Sequence, residues 1–167
     1  MLLPAATPVA AQVRARNSIY AELLGNGGLY SINYDRRLGG GGASIRVGAA
    51  SFEAEGGFLV SVPDERHRFL LAPVLLNLLT GAGTHHLELG GGVLVGSETV
   101  TRARSGQSER LNLLSATGTL GYRRQPADGG FVFRIGLTPI YGFGNEEAAY
   151  PEKGFFLSGG LSLGVSF

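Results

Sequence analysis

The last thirteen residues, FFLSGGLSLGVSF, constrain this chain most: Leu157, Leu161, Leu163, Val165 and Phe167 alternate with Ser158, Gly160, Ser162, Gly164 and Ser166. A period of two is the mark of a strand with two unlike faces. A soluble sheet sets Lys, Glu or Thr opposite its core, but here the second face holds only Ser and Gly. The apolar face is therefore expected to look outward, at lipid, and the small polar face to line an interior.

Composition supports a membrane barrel over a soluble domain. The 167 residues suffice for one barrel and are too few for two sizeable domains. Charged residues make up 16% of the chain, against about 25% in an average soluble domain. Thirteen arginines stand beside a single lysine, Lys153, so a solubilising Lys/Glu surface is missing. The net charge is +1 and the arginines are scattered, which gives no reason to expect a nucleic-acid partner. Without Cys there is neither a disulfide framework nor a thiolate metal site. No run reaches the eighteen or so apolar residues of a membrane helix; the longest, Phe69 to Leu79, is broken by Pro73 and Asn77. Residues 1–12, MLLPAATPVAAQ, read as the remnant of a signal peptide lacking its basic region, or as a disordered N-terminus. A single transmembrane barrel domain is expected within 13–167.

From Asn17 onward the chain divides into alternating segments of roughly ten residues, the pattern of membrane-barrel strands. Eight are expected, at about 17–25, 28–37, 43–55, 67–79, 84–97, 110–124, 130–142 and 155–167. Short turns at 38–42, 80–83 and 125–129 alternate with longer links at 56–66, 98–109 and 143–154. Membrane barrels have short periplasmic turns and long outer loops, so both termini are expected in the periplasm. The first hairpin departs from this rule, because its outer turn, Gly25-Asn26-Gly27-Gly28, is short; one long strand over 17–37 would instead give seven.

Parity assigns the faces. Tyr30, Ile32 and Tyr34 oppose Ser31, Asn33 and Asp35; Ala116, Gly118, Leu120 and Tyr122 oppose Ser115, Thr117, Thr119, Gly121 and Arg123. Phe131, Phe133, Ile135, Leu137 and Tyr141 face lipid, with Arg134, Gly136 and Thr138 inward. Tyr34, Tyr122 and Phe131 then fall near short-turn ends and Tyr141 near a long-loop end, where aromatic girdles belong. Pro139 lies on the lipid face of the seventh segment and is a cost, since it cannot donate a ladder hydrogen bond.

The segments NSIYAELLGNGGLYSINYDRRL (17–38) and LLAPVLLNLLTGAGTHHLELGGG (70–92), with the Phe-terminated last strand, resemble a family of small Bacteroidetes-type outer-membrane barrels, mostly without assigned function. The resemblance covers nearly everything after residue 16 and implies an all-β antiparallel transmembrane barrel in the outer membrane. It brings no catalytic motif. Phe167, with Val165 and Leu163 upstream, also resembles the sorting signal read by the barrel assembly machinery, an implied partner.

One constellation emerges from the face assignment. Glu22, Arg46, Glu88 and Arg134 share inward parity at similar depth, and Asp35, Asn77 and Arg123 extend them toward the periplasmic mouth. Buried singly, such charges cost several kcal/mol each, so they are expected to pair and lock a lumen filled by polar and charged side chains. A narrow channel for small solutes is the alternative, though eight strands normally leave room only for side chains.

Other features read as structural. His85 and His86 point to opposite faces and cannot chelate one ion together; His86 is expected to contact Glu88, and no metal or cofactor site is expected. His67, in the charged link Asp64-Glu65-Arg66-His67-Arg68, is expected in a solvated loop; with Ser61 or Ser51 and Glu65 it could in principle form the triad of a lipid-modifying hydrolase. The glycine runs match no phosphate-binding motif. The segment Ser97 to Arg110 reads as a solvated loop that could meet an external partner or lipopolysaccharide phosphates. The expected function is thus a small, non-enzymatic outer-membrane barrel with a structural or interaction role. Its partners would be outer-membrane lipids and another outer-membrane protein, and the hydrolase and the narrow channel are its rivals. A soluble barrel with an apolar cavity would invert every face.

Overall fold

Alternation along every segment predicts sheet throughout, and the computed structural model, which describes residues 15–39, 42–55, 65–81, 83–143, 150–151 and 153–167, has no helix among them. Eight strands follow in order: β1 (Asn17–Leu23), β2 (Tyr30–Leu38), β3 (Ala43–Glu55), β4 (Glu65–Thr80), β5 (His85–Arg102), β6 (Ser108–Arg124), β7 (Gly130–Gly142) and β8 (Gly154–Ser166). Each pairs antiparallel with the next, and β8 returns to β1 to close the barrel. The first hairpin is therefore two strands, and the total is even.

Closure leaves each strand one face inside and one outside, and the apolar residues take the outside. Leu76 is 62% exposed and Phe155 70%, while Arg46, Arg123 and Asp35 are fully buried. This outward belt runs through Ile19, Ile32, Val47, Leu78, Leu89, Leu120, Ile135, Leu137 and Leu163. Tyr34, Tyr122 and Phe131 rim one end and Tyr141, Phe143 and Phe155 the other. A soluble protein does not expose a continuous apolar band of this kind, so a cavity-binding soluble barrel is ruled out: its leucines would have to gather inside.

The wall is uneven in height. β1 and β2 have 7 and 9 residues, whereas β4, β5 and β6 have 16, 18 and 17. A membrane crossing takes about 9–11 residues per strand, so β4–β6 rise well beyond the apolar belt. The residues expected in the loop 98–109 are mostly wall, because β5 runs on to Arg102 and β6 begins at Ser108, paired from Thr101↔Ser108 downward. Ser97 and Arg110 are joined side chain to side chain at 3.2 Å rather than solvated in a loop.

The two strand prolines interrupt their ladders. β3–β4 pairing skips from Val47↔Val74 to Ala50↔Leu71 around Pro73, and β6–β7 pairing from Thr117↔Ile140 to Leu120↔Leu137 around Pro139.

Because the outward belt must be covered by lipid or detergent, the folded protein is expected to require detergent for extraction and to migrate differently on a gel before and after boiling. A monomer stable in plain buffer would contradict the outward orientation.

Candidate functional site: a three-layer plug in the lumen

The deepest layer is ionic. Alternation along β1, β2, β3, β5, β6 and β7 turns Glu22, Asp35, Arg46, Glu88, Arg123 and Arg134 inward, and all six are buried. They form one chain of alternating sign. Arg46 pairs with Glu22, whose other oxygen lies 3.6 Å from Arg134. Arg134 donates to both oxygens of Glu88 through Nε and Nη2 at 2.8 Å. Glu88 lies 3.5 Å from Arg123, and Arg123 donates to Asp35 at 2.8 Å. Three cations meet three anions, so the lumen carries no net charge from this set. The ring of Tyr20 adds a polarisable surface, its centroid 4.7 Å from Arg134 and 5.6 Å from Arg46. Around the chain, Ser44 donates to Asp35 at 3.0 Å, Asn77 to Asp35 at 3.4 Å and Arg46 Nε to Asn33 at 2.9 Å. The space beside Glu22, Glu88 and Arg134 is about 10 Å³, room for about one water.

The second layer is the turn of the first hairpin. Gly25 to Gly28 are buried, because the turn folds into the lumen instead of standing above it. Gly28 has φ +83° and packs beneath Phe52 and Tyr150, where a side chain would collide at 2.9 Å. Asn26 is the anchor: its Oδ1 accepts from Arg46 Nη1 at 2.8 Å and from Thr119 at 3.1 Å. Its Nδ2 donates to Thr117 Oγ1 at 2.7 Å and to the Gly118 carbonyl at 2.9 Å, on the far wall. That carbonyl sits opposite Pro139. The Phe143 N–H bonds to Leu114 O at 3.1 Å, so by alternation Gly118 and Pro139 occupy a hydrogen-bonded position. Pro139 has no N–H to give. Asn26 supplies the missing donor from inside the barrel, which offsets the cost expected of a proline there. The short first turn and the misplaced proline are thus one feature.

The third layer is apolar, a departure from the expected polar filling. Ala50, Phe52, Phe69, Leu71, Leu94, Leu113, Ile140 and Tyr150 form a buried cluster at the long-loop end. Phe52 and Phe69 lie 5.0 Å apart, and Tyr150 meets Phe69 and Phe156 edge-on at 6.4 and 6.2 Å. β4 reads apolar at both parities, so alternation alone could not say which leucines and phenylalanines go in.

Above this layer lies His67, which is buried within β4 rather than solvated. β4 starts at Glu65, and inward parity sets the imidazole against Phe69, 6.4 Å away and stacked, with Nδ1 2.6 Å from buried Glu98. Its Nε2 lies 3.7 Å from Glu65, which also meets Arg102 at 3.3 Å. A histidine held by an acid is half of a hydrolytic arrangement, but among the described residues no hydroxyl bonds to Nε2. Ser51 faces outward, and Ser61 and Asp64 lie outside the described residues, as do residues 1–12. His86 does not meet Glu88. Same-face neighbours on one strand stand about 7 Å apart, and Glu88 is taken by two arginines, so His86 bonds instead to Arg37 at 2.9 Å. His85 faces outward and bonds to the Tyr122 hydroxyl at 2.6 Å. No group of three His, Cys, Asp or Glu suited to a metal occurs among the described residues. Phe167 exchanges backbone bonds with Asn17 at 2.9 and 3.0 Å, and Val165 and Leu163 pair with Ile19 and Ala21 in the closing seam.

No protein-family model and no curated protein matches the chain. Solved structures do. The N-terminal β-barrel domain of Pseudomonas aeruginosa OprF aligns with TM-score 0.61 and 15% identity, over 93% of this chain and 98% of that one. Ail, the attachment invasion locus protein of Yersinia pestis, aligns with TM-score 0.52 and 17% identity, over 92% and 97%, both alone and in a complex with the heparin analogue sucrose octasulfate. At this identity the likeness shows the fold, an eight-stranded barrel of outer-membrane type.

Breaking a buried pair strands its partner at a cost of about 3–5 kcal/mol. Arg134→Leu, which takes both 2.8 Å donors from Glu88 and leaves two cations against three anions, is expected to lower the urea midpoint of the detergent-folded protein accordingly, and an unchanged midpoint would contradict the pairing. Asn26→Ala, which orphans the Gly118 carbonyl and frees an Arg46 donor, is expected to cost about 1–3 kcal/mol in the same assay.

Proposed function

We propose that this protein is a sealed barrel of a Gram-negative outer membrane, without enzymatic activity, that carries the tall β3–β6 wall as a structural or interaction surface. The carrying observation is the plug: three stacked layers, ionic, turn and aromatic, fill the described lumen with side chains bonded or packed to one another. A chain built to conduct would not fill its bore with six mutually paired charges and then cover them with phenylalanines. The resemblance of residues 17–38 and 70–92 to small Bacteroidetes-type barrels supports the same reading, as does the likeness of the fold to the OprF barrel domain and Ail.

The wall supplies the surface. Arg102 N–H bonds to Gln107 O at 3.0 Å, so odd-numbered residues at the top of β6 bond to β5, and Ser108, Arg110 and Asn112 turn their backbone groups away. Above Leu114 no described strand pairs with that edge. The exposed side chains at the top of this wall, among them Arg102, Glu109 and Arg110, are the proposed interaction surface. Assembly would proceed through the Phe167 strand, read by the barrel assembly machinery, with both termini and the short turns on the periplasmic side.

The native chain has no Cys, so single-cysteine variants report orientation cleanly. Ser105→Cys is expected to react with an impermeant maleimide on intact cells, and Ala127→Cys only after the outer membrane is permeabilised; the reverse pattern would overturn the topology. In planar bilayers the protein is expected to give no steady conductance. A stable open channel would overturn the sealed lumen.

A further inference from the structure

Exposed arginines at the two rims are balanced differently. At the long-loop end, Arg66, Arg68 and Arg102 lie 4.0, 3.9 and 3.3 Å from Glu55, Glu53 and Glu65. At the short-turn end, Arg36 and Arg124 also stand on the outward face, yet neither has an ion pair among the described residues. Both are nevertheless held in place. Arg124 Nη1 donates to the Phe131 carbonyl at 2.9 Å, and its guanidinium lies 5.9 Å from the centre of the Phe131 ring. Among the described residues its Nε and Nη2 make no hydrogen bond. Directly across the β5–β6 ladder is His85, whose ring stacks on Tyr122 at 5.9 Å and whose Nδ1 is fixed by the Tyr122 hydroxyl, leaving Nε2 unbonded. Tyr122 packs in turn on Phe133, 6.3 Å away. Cross-strand partners bring their Cβ atoms to about 5 Å. With the Tyr122 hydroxyl donating to Nδ1, Nε2 of His85 is a donor, and the result is an oriented donor pair without a counter-anion among the described residues, set on three aromatic rings at the edge of the apolar belt. Arg36 repeats the theme more simply: its Nη1 and the Tyr34 hydroxyl both donate to Asn17 Oδ1, at 3.4 and 2.8 Å.

From this we infer that His85 and Arg124 form a binding site for the phosphate of an anionic glycerophospholipid in the leaflet that meets the short-turn rim, with Tyr122, Phe131 and Phe133 lying along its glycerol and upper acyl region. The inference rests on the membrane reading proposed above and adds its lipid partner. The recognised chemistry is a phosphodiester oxygen accepting from Arg124 and His85 together; the rings supply the amphipathic surface that holds a headgroup at this depth. A free phosphate ion offers the same oxygens but nothing for the rings. The contrast between the rims is the reason to choose a lipid: carboxylates stand beside Arg66, Arg68 and Arg102 at the long-loop rim, and a lipid phosphate takes that place beside Arg124.

The test is native mass spectrometry of the protein released from nanodiscs that hold phosphatidylglycerol and phosphatidylcholine of matched acyl chains. The wild type is expected to retain phosphatidylglycerol preferentially. Each rim cation contributes about fivefold, so Arg124→Gln should cut the preference by about that factor, His85→Gln should weaken it, and Arg124→Lys should keep part of it. Inorganic phosphate at millimolar concentration is expected not to displace the lipid. Equal retention of the two lipids by the wild type, an unchanged preference in both Gln variants, or displacement by inorganic phosphate would each overturn the assignment. Heat-modifiable mobility of every variant separates the two readings: failure of the wild type to show it defeats the membrane barrel itself, whereas intact mobility with no lipid preference defeats only the site.

Discussion

Closing eight strands into a barrel forces a choice that governs everything else in this molecule. The bore is just wide enough for side chains, so each residue turned inward must find its partner within the protein. Six charged residues meet in its deepest layer. Alternation of sign along Arg46, Glu22, Arg134, Glu88, Arg123 and Asp35 meets the demand, because every interior member touches two opposite charges. Desolvating an ion costs several kcal/mol, and sharing Glu22 and Glu88 each between two guanidiniums spreads that cost along the chain. Small residues line this layer: a Cβ at Gly121 or Gly136 would collide with the carbonyl oxygen of Ile135 or Leu120 across the ladder, and one at Gly160 would meet Gly25 and Glu22.

The same demand explains the first hairpin. A backbone carbonyl in a lipid-embedded wall has no water to fall back on, and Pro139 removes the donor that Gly118 would otherwise use. Filling that vacancy from the lumen requires an amide on a turn flexible enough to bend across the bore. The GNGG sequence provides both, with Asn26 as the donor and Gly28 at positive φ beneath the aromatic layer. Proline in the wall and glycine in the turn, each unfavourable alone, compensate one another through the Asn26–Gly118 hydrogen bond, which spans 92 residues of sequence.

Much of this was legible in the residues. The C-terminal alternation gave the face assignment, turn spacing gave eight strands, and parity brought Glu22, Arg46, Glu88 and Arg134 to one level with Asp35 and Arg123 toward the mouth. Three things were not legible, for one reason. In β4, with FLLAPVLLNLL, both faces are apolar, so the aromatic layer could not be told from the lipid belt. The tops of β4 to β6 are polar, so they read as loops although Glu98 and His67 are buried there. Asn26 lies in a turn, where period two does not apply. Alternation reports which side of a wall a residue faces; it does not report how far the wall extends or what a turn reaches across to touch.

Sequence identities of 15 and 17% to OprF and Ail alongside nearly full coverage fit this division. Barrel closure asks only that one face be apolar and the other small or paired, and many residue combinations satisfy that. The particular plug, by contrast, needs specific partners: an Asn at the height of Gly118, a proline opposite it, and carboxylates matched to three arginines. Wall geometry is therefore the property such barrels share cheaply, while the contents of the lumen and the charge balance of each rim are where one of them acquires its own chemistry.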